Sequence, residues 1–442
     1  MPSVEINAMP TKGLFIDMLV KDVDLTDAIS DLVDNCIDGA KRLRPAGDYT
    51  GLRIKIAFSK DSFSIYDNCG GIPLDIAKNQ AFRFGRPSGS QATTGSVGQF
   101  GIGMKRALFK LGRWFKVSTT AEHEKYSITV PVEEWSKSDL PDSWHFQIDD
   151  GLDILQGNES FPTSDRYTSI EVRELREEAI RQFEDPAYST RFRDKLTDAQ
   201  NEFLKKGLEI QVNADFLVGE KFQLLFSEDL KSSFVREQYS EPNEKPVNVK
   251  YYVGMMNSIP ADEAGWYVFC NGRMILRADR SPLVGWGEVA YNIPRYHNQY
   301  ARFRGYAFFE CEDSSRLPWN TTKTSLDRDS PVYLKAKYKM IELMAPIISF
   351  INELDREKDV DDKTYETITN EAKPVDIDSI SVIQTFTYTP RAATTKAEKL
   401  IRITYSRRAD EVNMVKEALG VRTNAEIGSS TFEYYLKYEL GE

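Results

Sequence analysis

Histidine is nearly missing from this 442-residue sequence: only His123, His145 and His297 occur, too little material for a histidine-rich metal centre. Cysteine is sparse as well. Cys36, Cys69, Cys270 and Cys311 are widely spaced and form no CxxC pair, which argues against a disulfide frame or a zinc site and for buried thiols in a reducing compartment. There is no run of about 18 uninterrupted apolar residues, so no spanning helix is expected. The opening MPSVEINAMPTKGLF has no basic segment ahead of an apolar core, hence no secretory signal, and the cytoplasm is the expected location. Basic charge is not in excess either. A net charge of −11 and a pI near 5.2 exclude a globally basic nucleic-acid coat, while a local basic groove can still sit inside an acidic total. Internal repeats and low-complexity tracts are absent.

What is present is an ordinary globular composition, 41% hydrophobic and 28% charged, with a mean hydropathy of −0.46. At roughly 100–200 residues per domain the length suggests two to four domains. Lys21–Leu43 reads as a helix and Leu52–Phe58 and Ser62–Tyr66 as strands. A helix opens at Gly98 and runs to Leu111, followed by strands at Trp114–Thr119, Tyr126–Val130, His145–Ile148 and Ser169–Leu175. Strands with helices on one side predict an α+β sandwich over residues 1–175. A second α/β domain is expected over 176–357, with a helix at Asp194–Lys206, strands at Glu209–Asn213, Val249–Met255, Trp266–Cys270 and Tyr306–Glu310, and a long helix over 331–357 interrupted by Pro346. Residues 358–395 read as a polar linker. A small α/β unit, a strand at IRITYS and two helices, is expected over 396–442.

Three segments carry the chemistry. In the first helix, Ile29, Leu32, Val33, Cys36, Ile37 and Ala40 share an apolar face, and Asp31, Asn35 and Asp38 recur at i, i+4 and i+7 on another. Alone, such a polar stripe is a solvated face. Next, Ile65-Tyr66-Asp67-Asn68-Cys69-Gly70-Gly71-Ile72-Pro73 ends a strand on a carboxylate followed by two glycines. That Asp can accept from an exocyclic amine while the glycines let a flat base approach the backbone; a plain turn uses the same residues. Third, Gly95-Ser96-Val97-Gly98-Gln99-Phe100-Gly101-Ile102-Gly103-Met104-Lys105 runs into a helix, which suits backbone N–H groups meeting phosphate, with Lys105 as a cation. It fits neither a P-loop nor a Rossmann fingerprint.

Taken together, the three segments resemble the GHKL superfamily of ATPases (gyrase B, Hsp90, histidine kinases, MutL). Asp31 to Ala40 is similar to the family's N box, Asp67 to Gly71 to its first glycine box and Gly95 to Gly103 to its second; Thr168 in YTSIEV is similar to the threonine beside the adenine site. VGQFGIGMKRALFKLG, the strand-turn Tyr267-Val-Phe-Cys-Asn-Gly-Arg-Met-Ile275 and Leu317-Pro-Trp-Asn-Thr-Thr-Lys323 are similar to the MORC-type branch and its S5-like transducer. The resemblance implies a Bergerat-type ATP-binding sandwich followed by that transducer. It implies ATP and Mg²⁺ as ligands, with Asn35 on the metal and Asp31 as general base. Asp67 and Thr168 would lie at the adenine. Gly71, Ile72, Gly95, Gly98, Gln99, Phe100, Gly101, Ile102, Gly103 and Met104 would surround the nucleotide, with Lys105 and Lys323 on its phosphates. Asp38 either joins this site or satisfies its neighbours. An ATP-gated homodimer acting as a clamp is implied, with DNA or a protein as client, in genome maintenance or antiphage defence.

Two positions depart from the pattern. The general base is normally Glu where Asp31 stands, and Cys69 occupies the place of a glycine in the first glycine box. A misplacement of about 1 Å can cost some 100-fold in rate, so ATP binding with slow turnover is expected. A non-catalytic ATP-bound scaffold or chaperone-like remodelling module and a MutL-like repair ATPase are the alternatives. A sensor histidine kinase is disfavoured, because no phosphoacceptor helix precedes the site. The His123-Glu124 pair reads as a surface turn and Trp266, Tyr267 and Phe269 as core. The basic stretch Arg391, Lys396, Lys399, Arg402, Arg407 and Arg408 reads as a solvated face.

Overall fold

The structure is a computed structural model that describes residues 10–21, 23–85, 95–98, 101–140, 143–257, 260–357, 363–390, 403 and 405–441. Contacts divide the chain into two units: Met1–Asp355 with Thr364–Arg391, and Arg356–Lys363 with Ala392–Glu442.

The first unit is mixed α+β. Helix α1 (Lys12–Lys21) precedes α2 (Leu25–Leu43), whose first turn is capped by Asp24 accepting from the Thr26 N–H at 2.8 Å. Lys41 and Arg42 in its last turn suit the negative end of the helix dipole. The apolar stripe of α2 packs into the core, with Leu25, Ala28, Ile29, Val33 and Ile37 fully buried. Strands β1 (Arg53–Phe58) and β2 (Phe63–Asp67) follow, then the short α3 (Leu74–Ile76) and α4 (Gly103–Leu111). After α4 come β3 (Gly112–Thr120), β4 (Glu124–Pro131), α5 (Val132–Trp135), β5 (Asp153–Ile154) and β6 (Tyr167–Leu175). Helices α6 (Glu177–Glu184) and α7 (Tyr188–Lys205) lead to β7 (Glu209–Val212) and β8 (Asp215–Phe216). These strands make one sheet in the order β5-β4-β3-β6-β2-β1-β7-β8, antiparallel except for the β1–β7 pair. Helices α2 and α4 pack against each other, and α1 packs on α4.

Several expectations shift. The sheet does not end at 175, because β7 pairs in parallel with β1 (Ile54 opposite Ile210), so the expected domain boundary falls inside it. No strand forms at His145–Ile148. Phe146 instead joins Phe84, Phe115 and Trp135 in an aromatic cluster, so the alternation there reflects burial without pairing. The helix expected from Gly98 starts at Gly103, and α1 was not anticipated.

A second sheet follows β9 (Gln223–Phe226) and β10 (Leu230–Lys231). It contains β11 (Ser233–Tyr239), β12 (Val247–Met255), β13 (Gly265–Cys270), β14 (Arg273–Asp279) and β15 (Phe303–Glu310), in the order β11-β12-β15-β13-β14. One face, with Tyr251, Trp266, Val268 and Phe309, shares the main core. Helix α8 (Pro331–Arg356) contributes Met344, Ile347, Phe350 and Ile351 to that core and continues through Pro346. A proline inside a helix costs about 3 kcal/mol, and burying several large apolar side chains at about 1.5–3 kcal/mol each outweighs it. The other face carries Phe234, Tyr252, Phe269, Tyr306 and Phe308, covered by Phe222, Leu224, Ile377 and Ile380. The stretch expected as a linker therefore closes a second core. It forms α9 (Thr364–Glu371), β16 (Lys373–Asp376) paired with β9, and β17 (Thr387–Tyr388) paired with β10.

The second unit contains α10 (Ala409–Leu419), ended by left-handed Gly420, and α11 (Asn424–Tyr435), opened by a Thr423–Glu426 capping box. The expected strand at IRITYS lies mostly outside the described residues, and no strand is formed at Ile403, Tyr405 or Ser406.

Candidate nucleotide site

Asp67 stands at the last position of β2, opposite Thr168 on β6, which lies opposite Thr119 on β3. Asp67 is 4% exposed, and its carboxylate accepts from the Cys69 N–H at 2.8 Å. Burial pushes this carboxyl up to about 6, against the pull of the Cys69 N–H, the Cys36 thiol and the Arg42 charge. A cavity opens beside it, walled by Leu32, Cys36, Gly39, Ile65, Cys69, Gly71, Ile72, Thr168 and Ile170. Gly71 is required there: its φ is +73°, and a Cβ would stand 2.1 Å from the Thr120 carbonyl oxygen. Ile72 is fixed from both ends, its N–H donating to Thr119 Oγ1 at 2.9 Å and its carbonyl accepting from the Tyr126 hydroxyl at 2.9 Å. The result is a mainly apolar slot with one buried acceptor, suited to a flat heterocycle carrying an amine.

A larger cavity adjoins it, sharing Asn35, Arg42, Ile72 and Met104 as walls. Asp31, Asp38, Gly98, Gly101, Ile102, Gly103, Lys105, Arg106 and Lys323 line the remainder. Asp38 accepts from the Val97 N–H at 2.7 Å and the Gly98 N–H at 2.9 Å, so it fastens the glycine loop to α2. Gly103 lets Asp31 lie against the start of α4, since a Cβ there would be 3.1 Å from the Asp31 carboxyl.

Not every expected residue faces this space. Gly95 lines neither cavity. Its N–H donates to the Glu312 carbonyl at 2.9 Å, and its own carbonyl accepts from Lys41 Nζ at 2.8 Å. Lys105 lies on the wall, but its ammonium donates to the Ala81 carbonyl at 2.8 Å and to the Gly101 carbonyl, which ties α4 to the loop before it. Gln99 and Phe100 lie outside the described residues.

Lys323 enters from the second module. It sits in a turn with φ +55°, an uncommon conformation for a residue with a side chain and one that marks functional sites. The Asn320 side chain holds this turn by accepting from the Thr324 N–H at 2.9 Å. Lys323 Nζ reaches Asp31 Oδ1 at 3.0 Å and Asp34 Oδ2 at 2.6 Å. Asp34 is wholly buried and also accepts from Gln200 at 2.9 Å and from Arg273. Burial pushes the Asp34 carboxyl up, but the charges of Arg273 and Lys323 overcome this and hold it below the ordinary range. Burial likewise disfavours the Lys323 ammonium, and Asp31 and Asp34 more than offset it, so its pKa is raised.

Sequence reasoning missed Asp34, Arg106, Arg273, Gln200, Lys41 and Asn271. Asn271 and Arg273 lie in the Asn-Gly-Arg turn that was noted without a role for either. The Asn271 side chain donates to the Ser96 carbonyl at 3.2 Å and accepts from the Cys311 N–H at 3.0 Å. Lys41 Nζ donates to the Asn271 carbonyl at 2.8 Å, and burial lowers its pKa to about 8. The glycine loop is thus docked on the second sheet through α2.

A divalent cation would find a suitable donor in Asn35. It is the exposed position of α2 at this site, its oxygen lies 3.6 Å from where a Gly98 Cβ would stand, and its side chain makes no hydrogen bond among the described residues. An amide oxygen beside a phosphate chamber fits a hard ion such as Mg²⁺. Among the described residues no group of three or more His, Cys, Asp or Glu is placed to hold a metal, and no helix is long and apolar enough to cross a membrane.

A buried acceptor in an apolar slot, beside a polar chamber with a glycine loop and cationic side chains in its wall, is chemistry that suits a purine nucleotide. Residues 23–148 match the family model described as histidine kinase-, DNA gyrase B-, and HSP90-like ATPase. The match supports a GHKL-type ATPase domain over that segment, which holds Asp31, Asn35, Asp38, Asp67 and the glycine loop but not Thr168, Ile170, Gln200, Asn271, Arg273 or Lys323. No curated protein matches the chain.

Proposed function

We propose that this chain binds ATP with Mg²⁺ across the two cavities and hydrolyses it slowly, as a nucleotide-gated clamp. The observation that carries this reading is that the Asp67 slot shares Asn35, Arg42, Ile72 and Met104 with a chamber walled in part by Lys323, 292 residues beyond Asp31. Asp67 accepts the adenine amine, with the Thr168 hydroxyl beside it. The backbone of Gly98 and of Gly101 to Met104, with Lys323, meets the phosphates. Mg²⁺, held by Asn35, would supply charge neutralisation at the phosphate oxygens. Asp31 takes a proton from water as the water oxygen bonds to the γ-phosphorus. The bond from that phosphorus to the β–γ bridging oxygen breaks, giving ADP and inorganic phosphate.

Residues to about 216, which complete the first sheet, act as the ATP module. The second sheet and α8 act as an S5-like transducer of the MORC type. Lys323 and the Lys41–Asn271–Gly95 contacts carry the state of the site to that module, and ATP-dependent homodimerisation is the output. The client is DNA or a protein, in genome maintenance or antiphage defence, a reading supported by the MORC-like motifs.

A second reading, an ATP-bound scaffold without turnover, is favoured by one feature: both Asp31 oxygens are engaged in ion pairs, with Lys323 at 3.0 Å and Arg106 at 2.5 Å. Light scattering with size exclusion on apo, ADP and non-hydrolysable-ATP samples, with and without DNA, tests the clamp. Doubling of mass with the triphosphate alone supports it, and a constant mass refutes it. Phosphate release by the wild type but not by Asp31→Asn separates the enzyme from the scaffold.

A further inference from the structure

Arg106 lies on α4 three residues beyond Gly103, and its side chain is part of the wall of the larger cavity. The residue is 9% exposed. Its Nη2 contacts Asp31 Oδ2 at 2.5 Å, and its Nε is buried with no hydrogen-bond partner among the described residues. A guanidinium offers five N–H donors in a planar fork that suits two oxygens of a phosphoryl group. Here that fork is only partly filled, in a place where an unmet donor is costly.

The surroundings are short of negative charge. Asp31 and Asp34 face Lys323, Arg273 and Arg106, so two carboxylates oppose three cations. Asp38, the other carboxylate on this wall, already accepts two loop N–H groups. Lys323 and Arg106 grip opposite oxygens of the same Asp31 carboxylate. A terminal phosphate that comes within reach of Lys323 therefore arrives beside Arg106.

We propose that Arg106 is a ligand of the terminal phosphate of the bound triphosphate. Without nucleotide it rests on Asp31. With a triphosphate it exchanges that carboxylate for phosphoryl oxygens, which fill its fork and release Asp31 Oδ2 towards the attacking water. This deepens the ATP reading above and rests on it. It also explains how a base engaged by two cations can become available only when the substrate is complete, because a diphosphate leaves Arg106 where it is.

The test is calorimetric titration of Mg-ATP, Mg-ADP and their metal-free forms into the full-length wild type, Arg106→Ala and Arg106→Lys, with thermal unfolding of each apo protein alongside. The expected result is a loss of ATP affinity of roughly 10–100-fold in Arg106→Ala, the scale of a charge-assisted hydrogen-bond pair. ADP affinity should stay within about twofold and Arg106→Lys should lie between, since lysine keeps the charge without the fork. If Arg106→Ala does not fold, the ATP-to-ADP affinity ratio of Arg106→Lys decides, and a ratio equal to that of the wild type overturns the proposal. Equal effects on ATP and ADP, or none on either, overturn it while leaving nucleotide binding in place. Failure of the wild type to bind any nucleotide overturns the ATP reading itself and this proposal with it.

Discussion

Replacing Asp34 by alanine removes a carboxylate that joins α2, the Asn-Gly-Arg turn of the second sheet and the Lys323 loop. Asp34 is fully buried, and it accepts from Lys323 at 2.6 Å, from Gln200 at 2.9 Å and from Arg273. In the variant Lys323 still has Asp31 at 3.0 Å. Arg273, 3% exposed and with its Nε already unpartnered, loses the carboxylate it is paired with. Breaking a buried pair from one side costs about 3–5 kcal/mol, a large share of a typical 5–15 kcal/mol stability. Asp31→Ala leaves Lys323 on Asp34 and frees only Arg106, at about 1.5–3 kcal/mol for a charged hydrogen bond. Urea unfolding followed by tryptophan fluorescence, compared at constant m-value, should therefore rank Asp34→Ala well below Asp31→Ala in stability. A loss under about 1 kcal/mol for Asp34→Ala, or the reverse ranking, would refute the reasoning.

Other consequences follow from the same geometry. The folded state raises the Asp67 carboxyl to about 6, so this group's favourable contribution is complete below the unfolded value near 3.8 and is lost as pH rises through about 6. Asp67→Asn removes a burden on the order of 2–3 kcal/mol at neutral pH. Urea midpoints should show that variant more stable than the wild type at pH 7.5 but not at pH 4, while its ATP binding falls; equal midpoints at both pH values would contradict this. Gly71→Ala forces a Cβ to within 2.1 Å of a backbone oxygen at positive φ and should cost more than about 2 kcal/mol, whereas Gly95→Ala, with open space around it, should cost about 1 kcal/mol, both read from thermal melts. Lys41→Met cuts the loop's ties to Gly95 and Asn271. Hydrogen exchange at Ser96–Gly98 should then speed up, and protection unchanged from the wild type would show that Lys41 does not hold the loop.

The parts of the site that were legible in the sequence are those written locally. The i, i+4, i+7 polar stripe of α2, the Asp-x-x-Gly-Gly turn and the glycine loop each declare themselves within a dozen residues, and the structure brings Asp31, Asn35, Asp38, Asp67 and Lys323 around adjoining cavities. The role of Asp34 was hidden, because its partners are 166, 239 and 289 residues away and nothing local marks a carboxylate as buried. The same holds for Lys105, whose neighbour in sequence suggested a phosphate but whose ammonium is taken by carbonyls. Residues 358–395 look like a linker in the sequence because the strands among them are two and four residues long, too short to show alternation. What orders residues 364–390 is the aromatic face of the second sheet.

Calorimetric titration of Mg-ATP into the wild type and into Asn35→Ala measures nucleotide binding itself. The wild type should bind one ATP per chain and the variant should bind it at least about tenfold more weakly, with its fold intact because Asn35 is exposed and makes no side-chain hydrogen bond among the described residues. A wild type that takes up no ATP, or a variant that binds it as tightly, would contradict the ATP reading.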